Sequence, residues 1–270
     1  MTIKGKAFSA ALHAVGLSAL VVGVFGCASD QDPIKPTEVR KDTPDVVVVG
    51  VFVTDAAVSV YASATRFSVG SDGFDVVKIN SAGDYAVLHN DPGNAKNGGK
   101  FSRFDWTVDV DKETRFCVAV GEAKSDSEAA AVEPNAFDMD KGCGGNAWEF
   151  LTPPSIIGRY TDDWEGQHDI TAVAWTTGYV GSEQSVFWLR ELSNTAGYLL
   201  AANDEKNSFN PGLFSRYDFV VDADKTLYYC QTSYNAATLA AAKATTPADR
   251  TDLVMGCGGG NSWSKLTVKK

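Results

Sequence analysis

The chain carries Gly-Cys-Gly-Gly twice, at 142–145 within DKGCGGNAWEFL and at 256–259 within MGCGGGNSWSKL, each time followed by an Asn, a Trp and a Leu. A cysteine in a glycine-rich turn can act as a nucleophile, sit in an anion cradle, or staple the chain. A phosphate cradle needs glycines that follow a strand and open a helix, usually with a terminal Lys; here they follow a helical stretch and open onto a Trp-bearing strand. A catalytic thiol needs a base and a route to stay reduced. Beyond the leading segment the only histidines are His89 and His168, and they fall at different points of the two repeats. Zinc is disfavoured because no two cysteines stand two to four residues apart. The loops 89–99, 161–169 and 202–212 offer carboxylate and amide oxygens outside any EF-hand spacing. Asx turns account for the same residues, so no cofactor is expected and calcium is the one ion these loops leave open. No Gly-x-Ser-x-Gly elbow is present, and acids such as Asp162, Asp163 and Glu165 pair as any acidic surface would, so no catalytic residue is assigned. The staple is the reading that fits.

The elements that must position these cysteines repeat along the chain. At an offset of about 113 residues, FSRFDWTVDVDKETRFC (101–117) falls without a gap on FSRYDFVVDADKTLYYC (214–230), and His89-Asn90-Asp91 falls on Ala202-Asn203-Asp204. Cys143, Trp148 and Leu151 then match Cys257, Trp263 and Leu266. Two homologous modules follow, 46–154 and 155–270, each long enough for its own core. The four cysteines that fall within the modules, of five in the chain, permit three pairings. If each module closes its own bridge, Cys117 joins Cys143 and Cys230 joins Cys257, each closing a loop of about 26 residues worth roughly 3–4 kcal/mol in the chain-entropy model.

The second module shows the strand pattern best. HDITAVAW (168–175), SVFWLREL (185–192), GYLLAAN (197–203), FSRYDFVVD (214–222) and TLYYCQTSY (226–234) are short, rich in β-branched and aromatic residues, and divided by polar turns. Asp222–Lys225 and Asp109–Lys112 read as hairpin turns. Ser125-x-x-Glu128 has capping-box spacing ahead of an alanine run, and NAATLAAAKA (235–244) holds the equivalent helix. A last strand runs from Trp148 to Leu151 or from Trp263 to Val268. The expected fold is all-β, two tandem small antiparallel sandwich or barrel modules, each with one short helix and one disulfide.

The first 26 residues have Lys4 and Lys6 ahead of an apolar run, Ala7 to Phe25, that is short for a bilayer span. Val24-Phe25-Gly26-Cys27 looks like a bacterial lipobox, which makes 1–26 a signal peptide and Cys27 the lipidated, palmitate-bearing N-terminus. Residues 27–45 are polar, with three prolines, and read as a tether. The expected protein is exported and anchored to the bacterial cell envelope, at the outer membrane, through the lipid on Cys27. With 24 basic and 34 acidic residues, a net charge of −10, the chain lacks the basic excess that nucleic-acid binding needs.

Aromatic residues are dense in the second module, among them Tyr160, Trp164, Trp175, Trp188, Tyr217 and Tyr229. Most suit a core, but Trp164 lies in a polar turn, where an aromatic ring can grip a partner. Gly158-x-Tyr160-x-Asp162-x-x-x-Gly166-x-His168, Phe214-Ser215-Arg216, Tyr228-Tyr229-Cys230 and Gly256-Cys257-Gly258-Gly259 together resemble a family of uncharacterised bacterial lipoproteins of predatory or gliding Gram-negative lineages that carry one or more such modules. The resemblance spans nearly all of 155–270 and implies a lipid-anchored envelope protein. In the first module Val58-Ser59-Val60 stands where the histidine segment should be, so any role of that segment belongs to the second module alone. Gly-x-Tyr followed by a strand ending in Trp is also similar to the opening of lipocalin-like barrels, which implies a carrier of a small apolar ligand. The leading expectation is a non-enzymatic binding module for a surface glycan or protein, with Trp164, His168, Asn203 and Asp204 as candidate binding residues. The carrier comes second and a hydrolase using surface carboxylates third.

Overall fold

The computed structural model describes residues 49–108 and 113–269. The expected signal peptide, Cys27, the expected tether and the expected turn at Asp109–Lys112 lie outside the described residues. The first module is an eight-stranded antiparallel sheet in sequential order: β1 (Gly50–Val53), β2 (Ser59–Ala62), β3 (Arg66–Val69), β4 (Asp72–Asn80), β5 (Tyr85–Asn90), β6 (Phe101–Val108), β7 (Thr114–Ala123) and β8 (Glu149–Phe150). Helix α1 (Asp126–Ala130) follows β7. The second module repeats the series as β9 (Gly158–Asp162), β10 (Gln167–Ile170), β11 (Ala174–Gly178), β12 (Ser185–Ser193), β13 (Tyr198–Asn203), β14 (Phe214–Val221), β15 (Leu227–Ala236) and β16 (Ser264–Val268), with helix α2 (Leu239–Ala244) after β15. There β9 pairs with both β10 and β16, and the sheet closes into a barrel.

The expected all-β pair of modules with one helix and one disulfide each is therefore what the chain adopts, with local differences. The run 168–175 is not one strand. Thr171 turns it, its Oγ1 accepting from the amides of Val173 and Ala174, so that β10 and β11 form a hairpin. The helix in 235–244 begins only at Leu239, capped by Thr238, because β15 runs on to Ala236. In the first module Ser125 caps α1 by accepting from the Glu128 amide, and the Glu128 carboxylate accepts in turn from the amide of Lys124, one residue before the N-cap, where a standard capping box would use the N-cap amide itself.

The two modules close to different extents for a reason visible in their last strands. Leu266, Thr267 and Val268 of β16 pair with Asp162, Thr161 and Tyr160. In the first module the same register survives only as the Thr152–Val53 bridge, with two backbone bonds of 2.8 Å. Pro153 and Pro154 come next; neither can donate to a ladder, so the strand stops and the sheet stays open.

Strand β1 is buried on both faces. Phe52 packs into the first core, while Val51 and Val53 join the core of the second module beside Ile156. The Val51 amide bonds the Ala172 carbonyl at 2.8 Å, and a Cβ on Gly50 would lie 2.7 Å from that same oxygen, which explains glycine there. Ser59 accepts from the Leu192 amide and Arg190 lies over the Tyr61 ring, so the first module covers one end of the second barrel.

The repeated Phe-Ser-Arg motif is framework. Alternation along β6 puts Arg103 and Asp105 on the outer face, both buried, where the guanidinium grips the carboxylate through Nε and Nη2 at 2.7–3.0 Å. Its remaining nitrogen donates to the Ala130 carbonyl at the end of α1 at 2.7 Å, and it stacks over Tyr85. Arg216 repeats all of this with Asp218, the Lys243 carbonyl of α2 and Tyr198. On the inner face Ser102 donates to Asn90, whose amide bonds the carbonyls of Asn97 and Gly121; Ser215 and Asn203 do the same with Asn210 and Tyr234.

The Gly-Cys loops are structural as well. Cys117 is bonded to Cys143 and Cys230 to Cys257, with Cα separations of 5.3 and 5.5 Å and sequence separations of 26 and 27. A Cβ on Gly142 would sit 1.9 Å from the Asn135 carbonyl and one on Gly256 would sit 2.3 Å from that of Asp249. Trp148 and Trp263 pack on their bridges and donate to these same carbonyls at 3.1 Å.

Replacing Arg216 by Leu strands Asp218 in a buried setting and should lower stability by about 3–5 kcal/mol. Replacing Arg216 and Asp218 together by Leu should cost less than the single change, measured by denaturant unfolding of the full chain. Equal losses would show that the pair is not what holds α2.

Candidate functional site

The interior of the second barrel holds a set of polar and aromatic side chains that the first module lacks. Alternation on β9 and β10 turns Tyr160, Asp162, His168 and Ile170 inward; Trp175, Tyr217 and Tyr229 project inward from β11, β14 and β15. The strand registers superpose these on the first module position by position. Thr54 stands for Asp162, Val60 for His168, Phe67 for Trp175, Phe104 for Tyr217 and Phe116 for Tyr229. In the first module three of these form a phenylalanine cluster, with Phe104 5.1 Å from Phe116 and 6.0 Å from Phe67. In the second, all five positions carry a heteroatom.

His168 is 3 % exposed and both its ring nitrogens are occupied. The Trp175 indole donates to Nδ1 at 3.0 Å. An indole N–H only donates, so Nδ1 must offer a lone pair and the proton sits on Nε2, which donates to Asp162 Oδ2 at 3.1 Å. The ring is thereby fixed as one neutral tautomer. Burial pushes its pKa below the ordinary histidine value, and Asp162 only partly opposes this. Asp162 also accepts from the Tyr229 hydroxyl at 3.2 Å and, through Oδ1, from the amides of Trp164 and Gly166 at 2.9 and 2.7 Å. Burial pushes this carboxyl up, but the His168 ring and the two amides outweigh it and hold it below its ordinary value. Tyr217 stacks on Trp175 with centroids 4.5 Å apart; its buried hydroxyl has no hydrogen-bond partner among the described residues, and burial raises its pKa well above that of a free phenol.

Asp162 ties this interior to the rim. It ends β9 and organises the turn 162–166, from which Trp164 stands 71 % exposed. Because neighbouring strands are antiparallel, the β9–β10, β11–β12 and β13–β14 loops and the end of β15 lie at one end of the barrel, opposite the end that β1 covers. Each carries an exposed aromatic residue: Trp164, Tyr179 at 56 %, Phe209 at 80 % and Tyr234 at 56 %. The corresponding loops of the first module, 54–58, 70–71 and 91–100, contain none.

The four residues expected to bind are thus separated. Trp164 is on the rim, and His168 lies inside the barrel, joined to Trp164 through Asp162. Asn203 is buried and repeats Asn90, a framework role. Asp204, next to it, accepts from Trp188 Nε1 at 2.7 Å and from the Lys206 amide at 2.8 Å, shaping the loop that presents Phe209. Tyr179 and Phe209 escaped the sequence reading, although each sits between strands in a polar stretch, as Trp164 does; Tyr234 escaped it because it falls within the strand run 226–234 and lies near the end of β15. Among the described residues no group of three or more His, Cys, Asp or Glu side chains is placed to hold a metal ion, and no helix is long and apolar enough to cross a membrane. No protein-family model, no curated protein and no solved structure matches the chain.

Both His168 and Asp162 have folded pKa values below their unfolded ones. The unfolded chain therefore takes up protons that the folded one refuses, and stability falls as pH drops below about 6.5 through His168, then further below the ordinary aspartate value through Asp162. Giving the second barrel the first module's residues, Asp162→Thr with His168→Val and Trp175→Phe, should shrink the difference in melting temperature between pH 7 and pH 5. An unchanged difference would assign the acid sensitivity to other groups.

Proposed function

We propose that the protein is a lipid-anchored cell-envelope component that binds a surface glycan through the aromatic rim of its second barrel. The observation that carries this reading is the concentration of four exposed aromatic residues at one barrel end, set against their absence from the equivalent loops of the first module. Apolar rings interleaved with loop carboxylates and amides, such as Asp163, Glu183 and Asp204, offer flat faces for the C–H surface of a sugar and acceptors for its hydroxyls. The anchor belongs to the same reading: the lipobox-like Val24–Cys27 and the tether to residue 45 would hold the modules at the membrane surface, and three acyl chains on Cys27 would make the attachment stable.

A non-enzymatic role is supported by the saturation of the one acid–histidine pair in the barrel. Both nitrogens of His168 and both oxygens of Asp162 are already engaged within the chain, leaving neither as a base for a substrate. The second reading, a carrier of a small apolar ligand, is favoured by barrel closure. Against it, the interior is occupied by Trp175, Tyr217, Phe187, Leu189 and Leu199.

Trp164→Ala and Phe209→Ala should each weaken binding of the full chain to envelope polysaccharide by about tenfold or more, the scale of an interface anchor, with the melting temperature unchanged. Surface plasmon resonance against purified envelope polysaccharide and against envelope proteins separates the glycan from a protein partner. Binding of neither, together with a small hydrophobe in mass spectra of gently extracted protein, would favour the carrier.

A further inference from the structure

The modules differ at one place that the second fills with its own side chain and the first does not. After each helix the chain makes the same turn. Asn135 accepts the Phe137 amide on Oδ1 and the Trp148 indole on its carbonyl, and its own amide bonds Gly142; Asp249 makes the same three bonds with Thr251, Trp263 and Gly256. The next residue is Ala136 in the first module and Arg250 in the second. Arg250 lies across the β12–β13 turn and donates through Nη1 to the carbonyls of Thr195 and Ala196 at 3.3 and 3.1 Å. Its Cζ lies 2.8 Å from where a Cβ on Gly197 would be, so the guanidinium occupies the space above that glycine.

In the first module the counterpart of Gly197 is Asp84, held in the same left-handed conformation, φ 52° against 64°. Arginine above a glycine has become a carboxylate facing an alanine. Where the Arg250 side chain would run there is a cavity of about 420 Å³, within the size range of ligand sites, lined in part by Asp84, Asp105, Glu133, Ala136 and Trp148. Arg103 also borders it but is committed to Asp105 and the Ala130 carbonyl. Asp84 and Glu133 are exposed at the cavity's edge, and neither forms an ion pair with a described residue. Their charge is felt by Asp105, which burial pushes up to about 6 against the pull of Arg103, with Asp84 and Glu133 adding to the rise.

We propose that this cavity binds a guanidinium group from outside the module, at the place where the second module seats Arg250. A planar, always-charged guanidinium suits a site of carboxylates and turn carbonyls better than an ammonium does. The source is either an arginine side chain of a partner protein or a free arginine-like compound. The site lies in the first module, and the inference stands independently of the aromatic rim.

The test is calorimetric titration of the full chain with N-acetyl-arginine amide, N-acetyl-lysine amide and a blocked peptide with one central arginine. The arginine compounds should saturate one site, the lysine compound should bind about tenfold more weakly or not at all, and Asp84→Asn should weaken the arginine compounds by about tenfold. Ala136→Arg with Asp84→Gly, which recreates the second module's filled site, should abolish binding. If that variant does not fold, Arg250→Ala serves in its place, since it should open a second site of weaker affinity. A peptide bound well above the amino-acid amide identifies a partner's arginine, and equal affinities identify a free compound. No saturable binding of either, or binding unchanged by the Asp84 substitution, would overturn the proposal.

Discussion

A buried guanidinium on the outer face of each module dictates where the rest of that module can go. Arg103 and Arg216 sit two residues before their aspartates on one strand, so the pair shares a face that would otherwise be exposed sheet. A pair removed from water must have its remaining donor satisfied, and a helix-terminal carbonyl supplies the acceptor. That requirement fixes the short helix over the strand, although a helix of five or six residues has little stability of its own. With the helix placed, the chain leaving it returns towards β7 or β15, where the disulfide and its tryptophan close the layer. The doubled Gly-Cys-Gly-Gly is the visible end of this sequence of constraints: its glycines permit backbone approach that a side chain would block.

On this shared frame the two copies have diverged as sets. The first fills its interior with phenylalanine, ends its last strand at two prolines, and spends the outer face of β1 on contact with its neighbour. The second closes its barrel, carries heteroatoms at all five equivalent interior positions, and presents aromatic residues from successive loops at the free end. Asp162 joins the two novelties, since one carboxylate fixes His168 inside and the Trp164 turn outside. A coordinated exchange of this kind separates what the module needs in order to fold from what one copy has acquired.

How much of this could be read in the sequence follows from how local each signal is. The repeat, the strands with period-two alternation, the Ser125 helix cap and the cysteine pairing depend on neighbours along the chain or on comparison of the two copies, and they were legible; the Thr238 cap was not, because β15 runs on through the residues before it. The turn at Thr171 was not, because the apolar run through it looks continuous. Pro153 and Pro154 were in plain view and carry the reason the first sheet stays open, but their effect depends on knowing which strand lies opposite. His168 and Asn203 resembled exposed binding residues, since polar side chains near turns usually are. Their burial rests on partners contributed by other strands, Trp175 and Ser215. The signal that could have found the interior network was the parallel replacement of Thr54, Val60, Phe67, Phe104 and Phe116, seen only once the register aligns all five.

The central claim is that ligand recognition belongs to the free end of the second barrel and that the residues common to both modules serve as framework. Hydrogen–deuterium exchange of the full chain with and without envelope polysaccharide tests it most directly. Protection should appear in 162–167, 178–185 and 203–214 and leave 54–58, 70–71 and 91–100 of the first module unchanged. Protection in those first-module loops, with none at the second barrel's free end, would contradict it.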